Sequence, residues 1–351
     1  MQQKHRHWFA NKVAAANHHG VLATKVRHAY VFEHFHAAKR CAADESRLAN
    51  HERTRAFGVQ SVHVFFWRDS GDDGSFADVL RHRKLHEDAA TQFARDGAAV
   101  IRGALTAAEV AMLTRGIDAN LAQPGTLAAV ASGADDPGRF FEDFCNWQRI
   151  AEYESIMRES ALPAIASTLM KSTTAHIYHD HLLVKEAGTR QPTPWHQDQP
   201  YYNVEGRQNV SFWIPVDPVP RETTLEFLAG SHDGTWYMPR TFMTKQAKWF
   251  PEGALADIPD MTCAENQQRV IGWVLEPGDL VAFHMLTLHA ASGSATRRRV
   301  FSARYLGDDM VHAPRAWRTS PEFEGLSGVL PAGSPMEHAL FLLVFPRTVD
   351  N

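Results

Sequence analysis

The alternation of apolar and polar positions divides the chain into a helical first part and a strand-rich second part. After the turn-forming run Asp69-Ser70-Gly71-Asp72-Asp73-Gly74-Ser75, residues 76 to 95 carry helical spacing and Ala98 to Ile101 reads as a strand. Thr106, followed three residues later by Glu109, forms a capping box, in which a hydroxyl and a carboxylate satisfy free amides at a helix start. The helix it opens runs to about Ala122 and stops at Gln123-Pro124-Gly125. A loop rich in Gly, Ala and Asp then leads to Phe140 through Trp147, and two more helical patterns follow at about 148 to 158 and 161 to 170.

From Ala175 the period changes. Short β-runs occupy Ala175 to Lys185, Asn209 to Val216, Thr224 to Leu228, Val270 to Leu275, Leu280 to His284, Thr287 to Ala291, Arg299 to Leu306 and Leu340 to Phe345. The turn Pro277-Gly278-Asp279 separates two of them, and the apolar stretch Ala339 to Phe345 suits a buried strand. Many short strands behind a helical lead-in predict a mainly β fold with flanking helices, an antiparallel sandwich or barrel with the helices on one side. The expected organisation is an N-terminal extension over 1–75 and one domain over 76–351, with its β-core at about 175–346.

Composition acts mainly by exclusion. Across 351 residues, 44% hydrophobic content suffices for a buried core, and a formal charge of -4 from 36 basic and 40 acidic residues gives no basic surface for nucleic acid. Cys41, Cys145 and Cys263 are odd in number and lack a CxxC spacing, which predicts neither a disulfide framework nor a thiolate zinc site. The expected compartment is reducing, the cytoplasm. No apolar run reaches the roughly 20 residues a membrane helix needs, so no span is expected. Residues 1–75 are rich in His, Lys, Arg and Ala, with no acid before Glu33. They share the basic character of a transit peptide but not its serine content, and read as an extension of low order. Val349-Asp350-Asn351 is not a peroxisomal address.

The candidate chemistry begins at Thr193-Pro194-Trp195-His196-Gln197-Asp198-Gln199-Pro200-Tyr201-Tyr202. On an extended backbone the side chains of His196 and Asp198, two residues apart, project to one face and can share an ion. One carboxylate and two imidazoles make the facial triad of non-haem Fe(II) oxygenases, so a second histidine is required. His284 and His289 compete, and their spacing of five puts them on opposite faces of a continuous strand. His289 is preferred. It precedes the turn Ala291-Ser292-Gly293-Ser294 and then Arg297-Arg298-Arg299, which brings a guanidinium near the third ligand to hold the far carboxylate of an α-keto acid. His284 reads as a core histidine, His179-Asp180-His181 as strand filler and Gly230-Ser231-His232 as a turn.

Taken together, Trp195 through Tyr202, Ser211 through Asp217, Leu225 through His232, Pro277-Gly278-Asp279 with His289, and Arg298 through Asp308 resemble the phytanoyl-CoA dioxygenase family, from about residue 90 to the end. The resemblance implies a double-stranded β-helix, a jelly-roll core, that uses Fe(II), 2-oxoglutarate and O2, with ascorbate as a supporting reductant. It implies metal ligation by His196, Asp198 and His289. Counting back from Arg304-Tyr305 selects Arg298 for 2-oxoglutarate, with Arg299 as the alternative. Strand parity agrees, because Arg298, Val300, Ser302 and Arg304 form a polar face opposite Phe301, Ala303 and Tyr305. Trp213 matches a family position near the co-substrate, and Lys185, late in the preceding strand, is expected beside it. Gln199, Tyr201 and Phe141 are candidate substrate contacts, with Phe140, Trp147, Tyr202 and Trp249 as further aromatic lining.

The implied activity is hydroxylation of a small organic metabolite with release of succinate and CO2. Asp198 speaks against halogenation, since halogenating relatives leave that ligand position vacant. The competing readings are a metal-dependent enzyme of another class and a non-catalytic binding protein on the same scaffold.

Overall fold

The computed structural model describes residues 88–239, 253 and 255–346. The predicted extension over 1–75, most of the helix expected over 76–95, and Trp249 lie outside them. Residues 88–96 are helical and lead into β1 (Ala98–Ile101). Helix α1 (Ala107–Ala122) starts at the predicted capping box. The Thr106 hydroxyl accepts the Glu109 amide at 3.2 Å, and the Glu109 carboxylate accepts the Thr106 amide at 2.8 Å. Helices α2 (Ala151–Glu159) and α3 (Leu162–Met170) follow the sequence pattern closely.

Among the described residues the strands form two facing sheets and a separate two-stranded ribbon of β6 (Val204–Glu205) and β13 (Val311–His312). The larger contains β1, β2 (Ala129–Val130), β3 (Phe140–Phe144), β4 (Ala175–Lys185), β7 (Asn209–Pro215), β10 (Leu280–Phe283) and β12 (Arg298–Leu306), in the order β1-β10-β7-β12-β4-β3-β2. A short β14 (Leu343–Phe345) adds to β4. The smaller sheet runs β5-β11-β8-β9, from β5 (Thr193–His196), β8 (Leu225–Leu228), β9 (Val270–Ile271) and β11 (His289–Ala291). Every pairing in the two sheets is antiparallel, in the jelly-roll arrangement that the resemblance implies. No helix of the described residues is long and apolar enough to cross a membrane.

Strand parity gives the larger sheet two unlike faces. Leu182 and Val184, Val210, Phe212 and Ile214, and Phe301, Ala303 and Tyr305 join one core cluster with the helices. The alternate residues, among them Trp213, Val281, Phe283 and Val300, meet Leu225 and Phe227 of the smaller sheet in a second cluster. At β10 the preceding turn has Gly278 at φ +104°, where a Cβ would come within 2.9 Å of the Leu105 carbonyl; only glycine fits.

Two expectations need correction, and one strand has no counterpart among the predicted runs: Phe140–Phe144 pairs along its whole length with β4. Its pattern is masked by Asp143, which lies fully buried on the helix side, where Oδ2 accepts from Asn120 Nδ2 and the Gly125 amide at 2.7 Å each. Val270 to Leu275 contributes strand only at its first two residues. The C-terminal apolar stretch is strand only from Leu343, which is 39% exposed at the sheet margin rather than buried.

Candidate metal centre

His196 ends β5 and His289 begins β11, and the two are direct cross-strand partners. Their rings lie 4.2 Å apart between centroids. Each turns Nδ1 onto a backbone carbonyl two residues earlier, His196 onto Pro194 at 2.8 Å and His289 onto Thr287 at 2.9 Å. A carbonyl can only accept, so Nδ1 carries the hydrogen and both Nε2 lone pairs are left for a cation. Burial holds the His289 ring on the neutral side by lowering its pKa, with the Asp198 charge opposing this in part. Neutral imidazole is the ligating form.

Asp198 completes the set by a route the sequence did not show. It is not on a strand: β5 ends at His196, and Asp198 has helical dihedrals, φ -77° and ψ -45°, at the entry to a single 3-10 turn over Gln199–Tyr201. Convergence therefore comes from a bend and not from the alternation of an extended chain. The bend is pinned to the β10–β11 turn, where the Met285 carbonyl accepts the Asp198 amide at 2.9 Å and the Gln199 amide at 3.0 Å. Gln197 braces the same junction through Leu286 and Thr235 carbonyls and the Tyr237 amide. As a result Oδ1 of Asp198 stands 3.7 Å from Nε2 of both histidines. The three candidate ligand atoms lie within 4.8 Å of one another, the one such cluster of His, Cys, Asp or Glu among the described residues.

The second carboxylate oxygen faces the larger sheet. Arg304 reaches Oδ2 with Nη2 at 3.1 Å and Nε at 3.3 Å, and the Ser211 hydroxyl donates to it at 3.3 Å. Burial alone would raise this carboxyl's pKa, but Arg304, His289 and His196 together hold it below the usual range. It is ionised at neutral pH.

At the other end of β12, Arg298 and Lys185 are cross-strand partners, 5% and 1% exposed. The Arg298 guanidinium lies 5.4 Å from the Trp213 ring centre and donates to the Thr223 carbonyl. Lys185 Nζ donates to the Ser292 and Gln191 carbonyls at 2.7 and 2.9 Å, over the Phe140 ring. Neither forms a salt bridge with any described residue. Burial, with the Arg298 charge, pushes Lys185 down to about 6, and burial pushes Arg298 down to about 10. A buried guanidinium without a carboxylate, beside an amine that is largely neutral above pH 6, is an arrangement able to receive an anion. Arg299, the alternative, points to the opposite face and is paired with Asp217 at 2.8 Å and Asp118 at 3.1 Å.

A family model described as phytanoyl-CoA dioxygenase (PhyH) matches residues 93–300, more than half of the chain. The chain belongs to the phytanoyl-CoA dioxygenase family. Among solved structures it resembles the non-heme alpha ketoglutarate dependent epimerase SnoN from nogalamycin biosynthesis, at 20% identity and TM-score 0.60, over 77% of this chain and 99% of that one. The carbocyclase SnoK from the same biosynthesis gives 22% identity and TM-score 0.58, over 74% and 96%. EctD from S. alaskensis gives 18% and 0.50, over 66% and 84%. At these identities the likeness is one of fold. No curated protein sequence gives a significant match.

The remaining family-derived expectations divide. Tyr201 flanks the centre, its ring 6.1 Å from that of His196. Gln199 does not offer its amide to the site: Nε2 donates to the Gly206 carbonyl at 3.2 Å, and Oε1 accepts from Asn209 at 3.4 Å. Phe141 lies in the helix-side core, so its neighbour Phe140 is the aromatic that faces Lys185. His284 closes the β10–β11 turn, with Nδ1 accepting the Leu286 amide and Nε2 donating to the Arg207 carbonyl. His181 faces between the sheets and stacks on Phe144 at 3.7 Å, while Asp180 faces the helices and accepts the Asn146 and Trp147 amides. Sequence reasoning used Arg304 only as a landmark for counting. Its signal was parity, which sets it on the polar face with Arg298 in a strand too buried to hold an unmatched charge.

Proposed function

We propose that this protein is an Fe(II)- and 2-oxoglutarate-dependent oxygenase that oxidises, and by default hydroxylates, a small organic metabolite. The observation that supports it is the pairing of two complementary features across the facing sheets: three convergent ligand atoms at His196, Asp198 and His289 on the smaller sheet and the loop that follows β5, and the buried basic pair Lys185 and Arg298 on the larger sheet. The donor set fits the ion, since two neutral imidazoles and one carboxylate on one side leave the other positions open, the arrangement suited to non-haem iron(II). The cation pair fits the distal carboxylate of a 2-oxo diacid, with Arg298 as a bidentate donor and Lys185 as a second charge. When bound, iron with 2-oxoglutarate supplies the oxidising chemistry from dioxygen, yielding succinate and CO2.

The chain's own residues bind, orient and exclude water. His196 and His289 are fixed in the ligating tautomer by Pro194 and Thr287, and Asp198 is fixed in its charged form by Arg304. Trp213, packed under the Arg298 guanidinium, keeps water from that cation and so strengthens its attraction for an anion. Tyr201, beside His196, is placed to contact the substrate. The fold neighbours named an epimerase and a carbocyclase leave open which outcome follows hydrogen removal, and product analysis decides it. The free cysteines Cys145 and Cys263 support a reducing compartment such as the cytoplasm.

The test is anaerobic addition of Fe(II) and then 2-oxoglutarate to the purified protein. A visible metal-to-ligand absorption band, followed by succinate release on admitting oxygen, is the expected result. Binding of both without succinate would favour a non-catalytic role, and failure to bind either would overturn the proposal. Screening metabolite extracts for oxygenated products then identifies the substrate.

A further inference from the structure

Asp198 has two carboxylate oxygens, and the structure treats them differently. Oδ1 faces both imidazoles at 3.7 Å, whereas Oδ2 is turned away and receives three donor atoms, Nε and Nη2 of Arg304 and Oγ of Ser211. Arg304 and Ser211 are themselves cross-strand partners on β12 and β7, so the two donors come from a rigid, paired part of the larger sheet. The carboxylate is carried by a loop attached to the smaller sheet. Arg304 thus bridges the two sheets where the candidate metal set is completed by a residue outside regular structure.

We infer that Arg304, with Ser211 in support, is a positioning residue that keeps Asp198 a one-oxygen ligand. This rests on the metal reading given above and goes beyond it. Its consequence is a count of coordination positions. A carboxylate free to rotate can chelate an ion with both oxygens and occupy a place that a chelating 2-oxo acid and dioxygen need. With Oδ2 held by a guanidinium, that second bond would cost a charge-assisted hydrogen bond, so one-oxygen ligation is favoured. Arg304 also keeps the carboxylate oriented before any ion arrives, as partners of metal ligands commonly do.

The experiment uses Co(II) as a redox-inert probe on the full chain, with the dissociation constant and the visible d–d spectrum as readouts. Arg304→Gln is expected to bind Co(II) about ten-fold or more weakly and with an altered spectrum, Arg304→Lys to recover part of both, and Ser211→Ala to lose about three-fold. Because Arg304 acts through the carboxylate, Arg304→Gln should cost little more once Asp198 is already Ala. Should Arg304→Gln fail to fold, Ser211→Ala and the lysine variant carry the test by the same two readouts. Wild-type affinity and an unchanged spectrum in all three variants would overturn the inference, as would an equal loss in the Asp198→Ala background. If the wild-type protein itself binds no Co(II), the metal reading falls first and this inference with it.

Discussion

The two ends of β12 make an instructive pair. Arg304 and Arg298 lie on the same face of the same strand and are about equally buried, at 4% and 5% exposure. Arg304 is matched by the Asp198 carboxylate, whereas Arg298 meets a carbonyl, an indole and the Lys185 amine. A matched buried charge is part of the protein's own architecture. An unmatched one marks a place where the partner comes from outside. The same residue type in the same environment therefore serves two ends, and the difference lies in what the neighbouring loop supplies.

Variants can break this contrast, beginning with the largest effect. Asp198→Ala should abolish tight metal binding, a loss beyond about 100-fold in Co(II) affinity by titration calorimetry, since a ligand counts for more than its supporting partners. It should also leave Arg304 unmatched and lower the melting temperature, an outcome that a free-standing role for Arg304 would not give. Arg298→Gln should leave Co(II) affinity within about two-fold while weakening 2-oxoglutarate about 30- to 100-fold in the metal-loaded protein, the range for removing one side of a buried charge pair. If metal affinity fell as far as 2-oxoglutarate affinity, the two ends would not be separate sites.

A smaller effect concerns pH. Lys185 has a pKa of about 6 in the free protein, so above that it is mostly neutral and must take up a proton to meet a carboxylate. Below pH 6 the proton is already present and 2-oxoglutarate affinity should be level. As pH rises above 6 the affinity should fall, by up to about ten-fold per unit, until the raised pKa of the complex is reached. Lys185→Met should flatten this slope, measured as the dissociation constant between pH 6 and 8.5. The smallest effect is expected from Arg299→Gln on the opposite face. It should leave 2-oxoglutarate affinity unchanged and cost no more than about 1 kcal/mol of stability in urea titration, because its ion pairs to Asp217 and Asp118 lie partly in water.

The orientation of side chains along β12 was legible in the sequence. The choice between Arg298 and Arg299 was open to parity, since a strand with Phe301, Ala303 and Tyr305 on one face must turn Arg298, Ser302 and Arg304 to the other. Lys185 followed from its place late in a long strand. Phe141 and Gln199 were misplaced for different reasons. Nothing in Phe140 through Phe144 reads as a strand while Asp143 sits at a core position, and without the strand the parity of the two phenylalanines has no meaning. Gln199 belongs to a one-turn helix whose amide is used by Gly206 and Asn209, partners that the sequence gives no reason to bring near.

By itself the sequence determined the helical lead-in, the strand-rich core, the identity of the three candidate ligand residues that the structure brings together and the face that carries the arginines. Each follows from local periodicity or from residue types that few other chemistries would require. What only the tertiary structure decided is how those residues meet. His196 and Asp198 converge through a bend held by the Met285 carbonyl, not through an extended strand, and His289 joins them because β5 and β11 pair in one register. Arg304 acquires its role from a carboxylate 106 positions earlier. Contacts of that separation depend on sheet pairing and loop anchoring, which no local pattern encodes, because their free energy comes from groups that are neighbours only after folding.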